Sequence, residues 1–151
     1  MSWESTKRLP WGILILFGGG LSLASGLQVA GIIDLIALWV SDNSGSNIVL
    51  ICIGLTLLAI FLTEIMSNVA LVTVLLPIVF SIANQMGADP LILTIPVTLA
   101  ASCAFMMPIG TPPNAIVYSS GQISVSQMIH AGIWMNLIAL VIIVTAALVI
   151  L

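Results

Sequence analysis

Apolar positions run along this chain in long blocks separated by short polar stretches. Residues 1–8 are polar, and Pro10 follows them. Proline suits the first turn of a helix, where its missing N–H costs nothing. From about Trp11 to Trp39 the chain is then almost continuously apolar. About 20 helical residues cross a hydrocarbon core roughly 30 Å thick. This segment, taken as 11–40, therefore predicts a transmembrane helix with residues to spare. Gly18, Gly19 and Gly20 predict a bend in it, or the close approach of another backbone. Asp42 to Asn47, reading DNSGSN, is a loop by composition.

A second run, Ile48 to Phe61, turns polar at Thr63-Glu64, and Ser67-Asn68 follow. A third, Val69 to Ile82, has about 14 residues, a reach of roughly 21 Å as a helix. That is short for a crossing and suits a buried or re-entrant piece. Residues 48–83 together predict a re-entrant hairpin. Asn84 to Pro90 is a loop with Gly87 and Pro90 as breakers. A fourth run, Leu91 to Met107, stops at PIGTPPNA, residues 108–115. Three prolines and a glycine cannot continue a regular helix. An apolar run resumes at Ile116 and ends near Gly121, so 91–121 predicts a broken transmembrane helix. Ser124 to His130 is polar. Ala131 to Leu151 is nearly all aliphatic and predicts a final span.

Composition points the same way. Of 151 residues, 61% are hydrophobic and only 5% charged, against about 25% charged in soluble domains. The mean hydropathy is +1.33. The charged residues are Glu4, Lys7, Arg8, Asp34, Asp42, Glu64 and Asp89. Lipid and other apolar helices are the surroundings that suit such a surface. The chain thus reads as an all-α, multi-pass integral membrane protein of a cell membrane. The apolar block after Lys7-Arg8 is too long for a signal-peptide core. The positive-inside rule puts the N-terminus in the cytoplasm. If 48–83 enters and returns, Asp89 lies outside. If both arms cross fully, Asp89 is still outside, but Ser67 sits at the cytoplasmic interface.

Nucleic-acid binding requires a basic surface, which two cationic side chains do not make. Cys52 and Cys103 lie in apolar runs and read as buried small hydrophobes. No base–nucleophile set supports an enzyme, and no cofactor is indicated. Trp11, Trp39 and Trp134 fit interface anchors, and His130 an interfacial histidine beside the last span. Asp34 and Glu64 are acids in apolar stretches, where ionisable groups usually have a role. For Glu64 that role is either direct or support of the hairpin.

Two interruptions carry the chemistry: Thr63-Glu64-Ile65-Met66-Ser67-Asn68 and Pro108-Ile109-Gly110-Thr111-Pro112-Pro113-Asn114. A break at membrane depth frees N–H and C=O groups that lipid cannot satisfy. A helix restarting after a break turns its positive end toward it and can hold an anion. The arriving helix offers spare carbonyls that suit a sodium ion. Ser67 and Asn68 also suit the cap of a helix starting near Val69. Paired discontinuous helices are a recurring arrangement in secondary transporters.

FGGG in the first segment, TEIMSNVALVTVLLPI at 63–78 and PIGTPPNAIVYSSG at 108–121 resemble, in order, the divalent anion:sodium symporter family. That group carries dicarboxylates, citrate and sulfate. The resemblance covers nearly the whole chain but only the carboxy-terminal part of the family's transport unit. It implies one half of an inverted-repeat elevator transporter, with a re-entrant hairpin plus a discontinuous transmembrane helix, homodimeric in its full-length form. By the same resemblance Ser67 and Asn68 touch a substrate carboxylate, and Thr111 and Pro112 line the opposite side. Thr63, Met66, Asn68 and Gly110 fall where a sodium ion is held, Met66 and Gly110 through backbone carbonyls. Sodium is the coupling ion, and the substrate a small anion such as succinate, malate, fumarate, citrate or sulfate. Val69 stands where the family usually has Thr, which removes a hydroxyl. The alternatives are a sodium-independent anion exchanger, or a truncated or split transporter piece with no transport alone.

Overall fold

The computed structural model describes residues 11–43 and 47–150. Lys7, Arg8, Pro10 and the centre of the first loop lie outside the described residues, as do the surroundings of Gly20. Among the described residues seven helices follow one another: α1 (Trp11–Val29), α2 (Ile32–Asn43), α3 (Ile48–Thr63), α4 (Asn68–Gln85), α5 (Leu91–Ala100), α6 (Pro112–Ser119) and α7 (Val125–Ile150). Among the described residues, α4 and α7 are long and apolar enough to cross a membrane, and α1 with α2 counts as a third if the bent pair is one span.

The first segment does break, but not at its glycine triplet. Helix α1 runs straight through Gly18 and Gly19, and a Cβ added at either meets nothing within 4 Å. Among the described residues no other backbone approaches these two positions closely. The bend comes at Gly31, whose φ of 72° is left-handed and open to glycine. It sets the two helices 78° apart.

Local sequence explains the other boundaries. Asn47 caps α3, its Oδ1 accepting from the amides of Val49 (3.0 Å) and Leu50 (3.3 Å). Helix α4 ends in a Schellman turn. The Gly87 amide donates to Asn84 O and the Ala88 amide to Ala83 O, both at 3.0 Å, with Gly87 at φ 66°. At 18 residues, α4 spans about 27 Å, longer than its apolar run suggested, because Asn84 and Gln85 complete its last turn. Helix α7 starts six residues ahead of the expected Ala131. Ser124 and Gln127 form a reciprocal capping box, Ser124 N donating to Gln127 Oε1 (2.9 Å) and Gln127 N to Ser124 Oγ (3.3 Å). His130 is accordingly an exposed residue within the helix, its Nδ1 3.1 Å from Ser126 O.

The largest departure is in the fourth segment. Helix α5 ends at Ala100, and residues 101–111 are non-helical. The break therefore begins well ahead of Met107, where the apolar run stops. Pro112 does not interrupt a helix at all; it opens α6, the one helical position that tolerates proline freely.

Helix α3 packs on α5 and α7, while α4 packs on α1, α2 and α5. The shared core includes Ile51, Cys52, Ala59, Ile60, Leu71, Val79, Ile82, Leu93, Val97, Ala100, Ile143 and Val144. Small residues such as Ala59, Ala83 and Ala100 are fully buried and let the helices approach closely. Cys52 is buried as expected; Cys103, in the break rather than in a helix, is only partly so, and both are free thiols. Large apolar side chains including Leu50, Phe61, Ile138 and Val141 are exposed, as suits contact with lipid or further protein. Asp34 lies on the surface of α2 and accepts from Ser81 Oγ (3.2 Å) and Gln85 Nε2 (3.3 Å) of α4.

Candidate functional site

The α3–α4 turn, residues 64–67, and the second break meet at an open cleft of about 530 Å³. Its walls include Met66, Ser67, Asn68 and Val69 on one side and Gly110, Thr111 and Pro112 on the other. Two helices begin at this cleft. Ser67 is the N-cap of α4 (φ −64°, ψ 134°) and Thr111 the N-cap of α6 (φ −143°, ψ 154°). Both positions normally use a side-chain oxygen to bind the first free amides. Neither hydroxyl does so here. The capping role expected for Ser67 thus holds for its position and not for its bond. Two helix amino ends with uncommitted hydroxyls face one space, an arrangement suited to an anion.

Thr63 lies just behind the cleft and is fully buried. Its Oγ1 is 2.7 Å from Asn68 Oδ1 and also within hydrogen-bond distance of Ala101 O. A hydroxyl has one proton and can serve only one of these acceptors. Hydroxyl, amide and main-chain carbonyl oxygens crowded together are the donor set that hard cations take. Met66 and Gly110 border the same region through the cleft wall. Among the described residues no cluster of three His, Cys, Asp or Glu side chains offers a site to a softer metal.

Glu64 holds the two breaks together. Its carboxylate is 3% exposed. Oε1 accepts from the amides of Phe105 (2.8 Å) and Met106 (2.9 Å) and from Asn136 Nδ2 (2.9 Å). Oε2 accepts from Met106 N (3.0 Å) and Met107 N (2.9 Å). Burying a carboxylate costs several kcal/mol. Hydrogen bonds to a charged group return about 1.5–3 kcal/mol each, so four donor groups offset that cost. Three consecutive amides that a helix would have used internally are committed to Glu64 instead. Of the two roles left open for Glu64, support of the hairpin is the one its contacts describe.

Asn114 completes the break from the other end. Its Nδ2 donates to Ala104 O (2.9 Å) and Met107 O (3.0 Å). The first of these carbonyls is four residues before Pro108, where the proline ring bars a helical bond. Two glycines give the loop room. A Cβ on Gly110 would stand 3.0 Å from Ala104 Cβ and 3.4 Å from Glu64 Oε2. A Cβ on Gly132 of α7 would stand 2.6 Å from Met106 Cα and Phe105 O. Asn136 and Gly132 escaped the sequence reading. Asn136 had a signal, as a lone amide within an aliphatic span; Gly132 had none.

The sequence matches the family described as the sodium:sulfate symporter transmembrane region over residues 1–150. It is 44% identical over 144 residues to a sodium-dependent dicarboxylate transporter, SdcS, of Staphylococcus saprophyticus. It has the same identity over the same length to the SdcS proteins of Staphylococcus aureus strains USA300 and NCTC 8325. Each alignment covers 95% of this chain and 28% of the relative, so the chain spans little more than a quarter of the length of the curated relatives it matches.

Proposed function

This chain belongs to the sodium:sulfate symporter family, and from that premise we propose that it forms the carboxy-terminal part of a sodium-coupled carrier of di- or tricarboxylate anions. The family is one of membrane transporters, so the chain is a multi-pass membrane transport protein and not an enzyme. The observation that carries the substrate reading is the pair of helix amino ends at one cleft, each with a free N-cap hydroxyl. In this reading Ser67, Asn68, Thr111 and Pro112 receive a carboxylate of the substrate. Thr63 Oγ1, Asn68 Oδ1 and the carbonyls of Met66 and Gly110 hold sodium. Asn68 belongs to both groups, so sodium orders the tip on which the anion then docks. Each ligand raises the affinity for the other by the same factor.

The rest of such a carrier supplies an inverted second repeat and a scaffold. The binding unit slides against that scaffold in an elevator movement, within a homodimer. The N-terminus of this chain faces the cytoplasm, and 48–83 enters and returns on the outer side. Sodium-dependent carriage of dicarboxylates by the SdcS relatives favours succinate, malate or fumarate over citrate and sulfate. The short share of those relatives that the chain spans favours a second reading, in which it transports nothing without the remaining segments.

Both readings are tested by uptake of labelled succinate, citrate and sulfate into proteoliposomes, with and without an inward sodium gradient. The full-length protein should accumulate succinate only with the gradient. Sodium-independent exchange would replace symport by antiport. Uptake by these 151 residues alone would remove the second reading. A cysteine at Ser67 that labels only from the cytoplasm, with the carrier locked outward, would count against the hairpin.

A further inference from the structure

Glu64 is buried behind the cleft and is not among its walls. Both of its oxygens are occupied by N–H donors, three contacts on Oε1 and two on Oε2. It therefore has no lone pair free to ligate an ion directly. Its partners among the described residues are all uncharged donors, so hydrogen bonds spread its negative charge without cancelling it. That charge is next in sequence to Thr63, and Oε2 stands 3.4 Å from where Gly110 would carry a Cβ. Thr63 and Gly110 are two of the residues that hold sodium in the proposed function, on which this inference rests.

We propose that Glu64 is the electrostatic counter-charge of the sodium site, acting on the ion through the Thr63 and Gly110 region without touching it. The liganding oxygens proposed above are all neutral. A cation among neutral oxygens in a low-dielectric interior gains strongly from a fixed carboxylate in the neighbouring shell. The amides of Phe105, Met106 and Met107 fix that carboxylate, and Asn136 fixes it from α7. A carboxylate on a flexible arm would instead turn into the cleft and repel the anionic substrate. Held in its nest of amides, it favours the cation and leaves the two helix amino ends to the anion. Glu64 is in this sense a positioning and affinity-setting residue for sodium.

The test is sodium-induced thermal stabilisation of the purified full-length protein, titrated with sodium in the absence of substrate, with uptake kinetics alongside. Glu64→Gln, which keeps the shape and removes the charge, should raise the sodium midpoint by about tenfold or more. The substrate half-saturation at saturating sodium should move much less. Asn136→Leu keeps the charge and removes one hydrogen bond; it should lower the melting temperature and leave the sodium midpoint within about twofold of wild type. If Glu64→Gln does not fold, the swap Glu64→Gln with Asn136→Asp returns a carboxylate to the same hydrogen bond, and its sodium midpoint should lie within about threefold of wild type. A sodium midpoint unchanged in Glu64→Gln, or equally raised in Asn136→Leu, overturns the inference and leaves Glu64 a purely structural tie. In the swap, a midpoint raised as far as the charge-neutral expectation does the same. A wild-type protein with no sodium-dependent stabilisation fails at an earlier point and overturns the sodium-coupled reading itself.

Discussion

Replacing Gly132 by Ala sets two effects of opposite sign against each other. In the interior of a helix this change is worth about 1 kcal/mol of added stability by propensity alone. Gly132, however, lies where the break crosses α7. The new Cβ would stand 2.6 Å from Met106 Cα, 2.6 Å from Phe105 O and 2.7 Å from Met106 N. Those are backbone atoms, with no rotamer to give way. Ordinary contact begins at 3.4 Å, so the loop must retreat by about 0.8 Å. The amides of Phe105 and Met106 sit 2.8 and 2.9 Å from Glu64 Oε1, and a loop shift of that size is larger than the slack such bonds have, with their reach of about 3.2 Å. Overpacking costs about 1–3 kcal/mol, and a weakened bond to a charged group about 1.5–3 kcal/mol. Net of the propensity gain, Gly132→Ala should destabilise by about 2–4 kcal/mol and lower the melting temperature of the purified full-length protein by about 2–4 °C. Gly18→Ala is the control, since its Cβ meets nothing within 4 Å. A Gly132→Ala protein that melts at or above the wild-type temperature, as Gly18→Ala should, would mean that the break does not lie against α7. The tie from Glu64 to the break would then need another geometry.

Three further substitutions probe the cleft and the break beside it. Ser67→Ala should weaken substrate half-saturation by about tenfold while leaving thermal stability nearly unchanged, because its hydroxyl makes no capping bond; a drop of several degrees would show that it does cap α4. Val69→Thr restores a hydroxyl on the cleft wall and should tighten succinate half-saturation by about fivefold, the worth of about 1 kcal/mol; unchanged affinity would place residue 69 outside the substrate's reach. Asn114→Ala leaves the carbonyls of Ala104 and Met107 without their donor and should cost about 2 kcal/mol, read as a lower melting temperature.

The helices were largely legible because apolar run length and terminal chemistry are local properties. Asn47 capping α3 and the Gly87 turn ending α4 follow rules that need only a few neighbouring residues. The capping box at Ser124 and Gln127 was equally local; its polar residues fell ahead of the span expected from Ala131, whereas they form the start of α7. The bend is a subtler case. Three glycines in a row permit a bend at 18–20, yet the helix continues through them and turns instead where a glycine takes up a left-handed φ. That residue is Gly31, which stands alone among apolar neighbours.

The break after α5 could not be bounded from its own residues, and the reason is physical. Ala101 to Met107, ASCAFMM, contains no breaker, and its apolar content is compatible with a helix. Pro108 bars the helical bond to Ala104 O, but that alone frees a single carbonyl. The amides of Phe105, Met106 and Met107 are withdrawn from helix formation by a carboxylate more than forty positions earlier. Asn114 then collects two of the carbonyls left over. Helix propensity is a weak preference that a buried charge in need of donors readily overrides. The same contacts explain why the first interruption carries an acid at all. Without Glu64 the amides of Phe105, Met106 and Met107 would have no acceptor in the loop before α6. With it, one carboxylate of the first break takes up three amides of the second, and the cleft between Ser67 and Thr111 has walls held in register.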